Sequence, residues 1–436
     1  PVAGLPLIQH HIEACVKLEQ CKEILIIGSY TTTHMTQFVT DMQKEYHIII
    51  RYLQEFTPLG TGGGLYHFRD QIRAGSPTAF FLLNGDVCAD FLLKELLSFH
   101  QEKEPQAVVI SRTYHSGCIQ SAVVCAKFCN CKRSENAYYR GICCQSRLLT
   151  FQVTIMGTEA TRQQSVHYGC MVRQPSSKAV THYVEKPNSY VSTLINCGVY
   201  VCSLHVFTIM AKAFEDKQGI YYSGNGSGTS HPGYMSWEQD ILAPLAGTDK
   251  LYAMQVTNWW SQLKTAGSAI YANRHYLELY RRDHPLRLAS PSQDTCTIIQ
   301  DVFIHPSATV HPTAVIGPNV SIGAGVNIKS GVRIKESIIL SNATIQEHSL
   351  VMYSVVGQDA SVGEWARVEG TPSDPDPNKP FAKMDNTPLF NADGRLNPSI
   401  TILGAGVNVP AETILLNSIV LPHKHLSRSF KHEIIL

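Results

Sequence analysis

Ile304, Val310, Ile316, Ile322, Ile328 and Ile334 recur at intervals of six residues without a miss. Four positions after each comes a second small or branched residue: Ala308, Ala314, Val320, Val326, Val332 and Ile338. Gly, Pro and Asn fill the turns, as in Ile316-Gly317-Pro318-Asn319-Val320. A period of six fits neither an α-helix nor an ordinary half-buried strand. It is the repeat of a three-sided parallel β-helix, each side contributing one apolar side chain to a narrow core. Residues 301–436 are therefore expected to form a left-handed parallel β-helix. The phase slips near 340–355 and is partly recovered at Val356 and Val362, after which Leu403, Val409, Leu415 and Leu421 restore the spacing. Between these, 370–398 is rich in Pro, Asp and Asn. Pro removes ladder donors, so this stretch reads as a loop inserted in one coil, either a solvated excursion or a functional one. His305 and His311 follow core positions and are expected to point to solvent.

Upstream, residues 1–280 read as an α/β layer with a Rossmann-like order. Leu7, Ile8, Ile12, Cys15 and Val16 follow helical spacing, and Ile24 to Gly28 forms a continuous apolar strand. A helix around Met35–Met42, a strand from Ile48 to Leu53, a Gly-rich loop, another helix and the strand Ala79–Leu83 follow. Continuous apolar strands alternating with helices predict a parallel sheet covered on both faces. Residues 281–300 read as a polar connection. The stretch 111–156 breaks the rhythm and holds six of the 13 cysteines: Cys118, Cys125, Cys129, Cys131, Cys143 and Cys144. Their spacings are not those of paired zinc ligands, and the stretch reads as an atypical insertion that bulges out or destabilises its domain. Ser223–Gly228 reads as a flexible surface loop.

Composition narrows the function. Lys plus Arg number 36 against 35 for Asp plus Glu, which gives no electrostatic footprint for nucleic acid. No run of 18 apolar residues spans a membrane, and no signal-peptide pattern opens the chain. The remaining cysteines lie singly in apolar segments, as buried thiols of a cytoplasmic protein do.

Four segments could carry chemistry. Gln54-Glu55-Phe56-Thr57-Pro58-Leu59-Gly60-Thr61-Gly62-Gly63-Gly64 lies between a strand and a helix, where glycines allow close backbone approach to a ligand. Phe81-Leu82-Leu83-Asn84-Gly85-Asp86 ends a buried strand with a carboxylate, placed either to hold Mg²⁺ for a nucleotide or to cap a helix. Val184-Glu185-Lys186-Pro187 and Ile195-Asn196-Cys197-Gly198 pair an acceptor for hydroxyls with a cation for phosphate; taken singly, each reads as a surface ion pair.

In this order, ahead of a hexapeptide β-helix, these segments resemble the sugar-1-phosphate nucleotidyltransferases, and within them GDP-mannose pyrophosphorylase (mannose-1-phosphate guanylyltransferase). Gln54–Gly64, Val368-Glu369-Gly370-Thr371-Pro372-Ser373-Asp374-Pro375 and Leu421-Pro422-His423-Lys424 resemble the alpha-type, regulatory form more than the beta-type, catalytic one. The resemblance implies that Gln54, Leu59, Gly60, Thr61, Gly62 and Gly63 border the nucleotide. It puts Asp86 on Mg²⁺, and Tyr168, Gly169, Glu185, Lys186 and Asn196 around the mannose phosphate. It implies GDP-mannose as ligand, a catalytic beta-type subunit as partner, and self-association through the β-helix.

Two departures qualify it. Active members begin with a strand and a triphosphate loop, whereas this sequence starts at Pro1-Val2-Ala3-Gly4, so the sheet's first strand is expected to be absent and its neighbours left without a partner. The family's second metal carboxylate falls at Gln262, within Trp260-Ser261-Gln262-Leu263-Lys264. A neutral amide is a poor Mg²⁺ ligand. A regulatory chain that binds GDP-mannose is the expected reading; the alternative is a working guanylyltransferase joining GTP and mannose 1-phosphate.

Overall fold

The computed structural model describes residues 1–103, 152–222, 233–290, 296–385 and 387–436, with backbone alone at 123–128 and 219–222. Of the clustered cysteines only Cys125 falls within these residues, by its backbone; the others and the loop Ser223–Gly228 lie outside them. The chain divides into two compact units. One comprises Ile8–Trp260 with Asn378–Lys383; the other comprises Pro1–Leu7, Ser261–Pro377 and Met384–Leu436. The helix Ala266–Asp283 thus groups with the β-helix, whose first strand pairs from Thr297.

The first unit is built on strands β1 (Cys21–Gly28), β2 (Ile49–Gln54), β3 (Ala79–Asn84), β4 (Val87–Ala89), β5 (Val123–Phe128), β6 (Val153–Glu159), β7 (Gly169–Arg173), β8 (Val180–Glu185), β9 (Leu194–Ser203) and β10 (Leu251–Val256). The main sheet runs β10-β6-β9-β3-β5-β1-β2, with β7 on β9 and β8 on β7. Side chains alternate between two cores: Ile24, Ile26, Phe81 and Leu83 join one, while Leu25, Ile27, Phe80 and Leu82 join the other. Burial on both faces is why these strands are apolar throughout.

The expected all-parallel sheet is corrected to a mixed one. β1–β2 and β6–β10 are parallel, but β9 runs antiparallel to both β3 and β6, and β7–β8 is an antiparallel pair. Unbroken apolarity reports two-sided burial and carries no information about direction.

A second correction concerns the insertion. Residues 123–128 form β5, antiparallel to β1 on one side and to β3 on the other. The two strands expected to lack a partner are therefore hydrogen-bonded through it.

The second unit carries the β-helix as three stacks of short parallel strands. One core ladder reads Ile298, Ile316, Ile334, Val351, Val368, Leu415. A second reads Ile304, Ile322, Ile339, Val356, Leu403, Val420, and a third Val310, Ile328, Ile345, Val362, Val409. The first coils advance by 18 residues, Ile298 to Ile316 to Ile334, and the next by 17, Ile334 to Val351 to Val368. The lost residue sits at a recurrent short corner. Glu336, Tyr353 and Asn417 take left-handed φ values of +46°, +47° and +48°. Each is followed by a buried serine that donates back to the carbonyl two residues before it: Ser337 Oγ to Lys335 O at 2.7 Å, Ser354 Oγ to Met352 O at 2.7 Å, and Ser418 Oγ to Leu416 O at 2.9 Å. The serine satisfies a carbonyl that a longer turn would bond through its backbone. Consequently the core takes Val420, 1% exposed, and not the expected Leu421, 39% exposed. His311 lies exposed and His305 part-exposed on the outside, as expected.

Candidate functional site

Strand pairing gathers three of the expected residues. Gly169 faces Glu185 across β7 and β8, and Cys170 faces Ile195, which puts Asn196 beside them. Asn196 Nδ2 donates to Tyr183 Oη at 3.0 Å and to Tyr200 Oη at 2.8 Å, and its Oδ1 accepts from Gly198 N at 2.9 Å. Tyr183 Oη in turn donates to Glu185 Oε2 at 3.0 Å. Burial raises both phenols well above the usual tyrosine value, which keeps them neutral donors. Gly169 has no freedom to change, because a Cβ there would lie 2.2 Å from Tyr183 Oη and 2.7 Å from Glu185 Oε2.

Lys186 Nζ pairs with Glu185 Oε1 at 3.1 Å on an exposed side chain, so that pair adds about 1 kcal/mol or less. Its backbone N–H donates to Tyr168 O at 3.1 Å, and the Tyr168 ring meets Trp260 edge-on at 5.5 Å. Trp260 Nε1 donates to Cys197 O at 2.9 Å, which closes the group around Asn196.

The Gly-rich segment differs from expectation. It is not an open turn but the start of the helix Gly60–His67, with Gly60, Thr61, Gly62, Gly63 and Gly64 all buried. Gly63 N donates to Met235 O at 2.8 Å, and Met235 N to Leu59 O at 2.8 Å. The glycines thus let the segment 233–236 approach closely; a Cβ on Gly62 would stand 2.9 Å from Met235 O. A Cβ on Gly64 would stand 2.0 Å from Glu55 Oε1, whose carboxyl burial raises to about 7. Gln54 ends β2 and accepts from Thr32 Oγ1 at 2.7 Å.

Asp86 sits between β3 and β4, at the carboxyl end of the buried strand. Among the described residues no group of three or more His, Cys, Asp or Glu could hold a metal ion. One carboxylate suits a Mg²⁺ ion carried in by the phosphates of its ligand better than one held by protein alone. Gln262 falls in the unit that carries the β-helix, Asp86 in the other.

Two residues that sequence reasoning missed belong here. Glu238 opens a π-helical turn, Glu238–Leu242, and accepts from Ser236 Oγ at 3.0 Å. Burial, then repulsion from Glu185, pushes its carboxyl up to about 7. Lys383, in the β-helix loop, donates through Nζ to Thr158 Oγ1 at 3.3 Å. Glu238 lies in the mixed stretch Met235–Leu245 beside Gln239 and Asp240, where no pattern singles it out, and Lys383 likewise carried no signal.

Comparison with known proteins follows the same division. Residues 1–117 and 145–224 match the nucleotidyl transferase family, and 298–435 match the GMPPB C-terminal domain family. Over its whole length the chain is 59% identical to mannose-1-phosphate guanylyltransferase regulatory subunit alpha of Drosophila melanogaster, covering 93% of that protein. The chain belongs to the family of these alpha subunits. It is similar to further alpha subunits, 48% identical to that of Xenopus tropicalis and 47% to the alpha-A form of Danio rerio, again over the whole chain and 93% of each. The nucleotidyl transferase match passes over 118–144, the segment that contains β5.

Glu238 makes this alpha subunit's stability depend on pH in a defined direction. Between about pH 4.5 and 7 the folded chain keeps a proton on Glu238 that the unfolded chain releases, so stability falls as pH rises through that window. The full loss is on the order of 3 kcal/mol at most. His100 acts oppositely: burial lowers it from 6.5 to about 4, so its contribution is lost as pH falls through that range. Glu238→Gln should therefore melt at or above the wild-type temperature at pH 8, and the difference should shift in favour of wild type on acidification. Equal melting-temperature differences at pH 5 and pH 8 would sink this assignment.

Proposed function

We propose that this chain binds GDP-mannose in its nucleotidyltransferase-like unit and modulates a catalytic beta-type partner in GDP-mannose synthesis. The observation that carries the reading is the Glu185–Tyr183–Asn196–Tyr200 network, in which two buried tyrosines join a part-buried carboxylate and amide, in a chain whose second metal position is a neutral glutamine. A network of neutral and acidic hydrogen-bonding groups suits sugar hydroxyls, while the missing carboxylate removes charge that nucleotidyl transfer uses. Full-length relatives named as regulatory subunits support the same conclusion. In this reading Gln54 and Leu59–Gly63 flank the nucleotide, Tyr168, Gly169, Glu185, Lys186 and Asn196 the sugar phosphate, and Asp86 meets any Mg²⁺ that accompanies it.

No helix among the described residues is long and apolar enough to cross a membrane. Cys15, Cys21, Cys88, Cys170, Cys197, Cys202 and Cys296 are buried free thiols, which suits the reducing cytoplasm. Association with like or related subunits through the β-helix belongs to the same proposal.

Calorimetry with GDP-mannose and a pyrophosphate-release assay with GTP, mannose 1-phosphate and Mg²⁺ test the proposal together. The expected result is saturable binding, with turnover about 10²-fold or more below an ordinary enzymatic rate. Absence of GDP-mannose binding by the folded chain would overturn it, and fast turnover would replace it with the catalytic alternative.

A further inference from the structure

Residues Asn378–Lys383 of the loop that interrupts the β-helix belong to the nucleotidyltransferase-like unit and not to the unit that holds the rest of the loop. Their attachment is specific. Gln164 grips the Lys383 backbone with both ends of its amide: Nε2 donates to Lys383 O at 2.6 Å, and Oε1 accepts from Lys383 N at 2.9 Å. The clamp fixes where the side chain goes. The ammonium donates to the buried Thr158 Oγ1 at 3.3 Å and lies 5.9 Å from the centre of the Trp260 ring, the ring that Tyr168 meets edge-on. Thr158 pairs with Ile195, next to Asn196. The loop therefore delivers a cation to the edge of the sugar-phosphate residues.

A part-buried lysine ordinarily keeps a carboxylate partner or full hydration. Lys383 forms no ion pair among the described residues; its polar side-chain contact is one neutral hydroxyl. Desolvation lowers its pKa, with Cys197 and then Glu159 acting in the opposite direction. An ammonium held by a backbone clamp, desolvated and left with one neutral acceptor has two donors to spare for an anion. The nearby ligand chemistry, on the reading proposed above, offers one in the diphosphate of a nucleotide sugar.

We propose that Lys383 is the phosphate-binding cation of this chain's nucleotide-sugar site, supplying from the β-helix loop positive charge that Mg²⁺ would otherwise bring. Binding then needs no divalent ion, consistent with the glutamine at position 262. Gln164 is a positioning residue.

The test is calorimetry of GDP-mannose binding to the full chain, in Mg²⁺ and in EDTA, with melting curves to confirm folding. Wild type should bind with the same affinity in both buffers. Lys383→Met should weaken binding about ten- to a hundredfold in EDTA and recover part of the loss with Mg²⁺. It should also flatten the dependence of affinity on salt, which a merely structural loop contact would not change. Lys383→Arg should restore most of the affinity, and Gln164→Ala, which keeps the ammonium but frees the loop, should fall between. Wild-type affinity that disappears in EDTA, or a Lys383→Met chain that binds as wild type, overturns the assignment while leaving the nucleotide-sugar reading intact. No binding by wild type in either buffer overturns both.

Discussion

Val420→Asp should unfold the end of the β-helix, while Leu421→Asp, one residue on, should leave it intact. Val420 is 1% exposed, stacked between Leu403 and Ile435 in a core only one side chain wide per face. Truncating such a residue costs about 2–5 kcal/mol, and a carboxylate there adds the penalty of an unpaired buried charge. In a solenoid each coil touches only its neighbours, so the damage should be local, opening the last coils to protease before the rest. Leu421 is 39% exposed, and surface substitutions usually stay within about 0.5 kcal/mol. Limited proteolysis and thermal melting of the two variants give the comparison. Equal damage from both would show that the coil does not shorten at Asn417-Ser418.

That comparison probes the point at which the sequence stops being readable. The six-residue period announces the β-helix because every turn of the ladder must place an apolar residue inward, and Ile304 to Ile334 keep strict count. Counting fails where the corner changes length, and nothing in Lys335-Glu336-Ser337 or Leu416-Asn417-Ser418 says so by hydrophobicity. The shortening is carried by a left-handed residue and a serine that bonds backward, a local device of three residues. Once seen, it is recognisable: Glu336-Ser337, Tyr353-Ser354 and Asn417-Ser418 share it.

The sheet shows a different limit. Ile24–Ile27 and Phe80–Leu83 were legible as buried strands, since alternate residues fill opposite cores. Their direction was not legible, because antiparallel pairing with β9 and parallel pairing with β2 bury the same surfaces. β5 was hidden more deeply. Its residues lie in a Cys-rich stretch without sustained period, and its pairing with β1 on one side and β3 on the other is a long-range contact that local pattern does not report. At the site, Glu185 and Asn196 stood out by motif, and the tyrosines that bind them together did not. Lys383 lies more than 180 residues from Asn196, in a loop whose composition left a solvated and a functional role equally unlocalised to any residue.

Asn196→Leu should cost the nucleotidyltransferase-like unit about 3 kcal/mol and remove its affinity for GDP-mannose. The substitution keeps the volume but removes two donors and one acceptor, which together serve Tyr183 Oη, Tyr200 Oη and Gly198 N. At about 1 kcal/mol for each net hydrogen bond the sum is about 3 kcal/mol, and more where a buried N–H finds no new acceptor. Gly198 N is such a group, since its residue holds φ +72° and cannot turn away without moving β9. Asn196→Asp separates the two effects. It keeps the acceptor for Gly198 N, and the Tyr200 hydroxyl can turn to donate to a carboxylate, whereas the single O–H of Tyr183 would have to leave Glu185 to do the same. Stability should therefore fall less than in the leucine variant. The new charge, however, faces Glu185 and Glu238 across the same network, so an anionic ligand should still be rejected and Glu238 should take its proton more tightly. Denaturant melts and calorimetry on both variants measure the two quantities independently. An aspartate variant that binds GDP-mannose like wild type would place the ligand away from Asn196, and a leucine variant as stable as wild type would show that the hydrogen bonds to Tyr183 and Tyr200 contribute little to the fold.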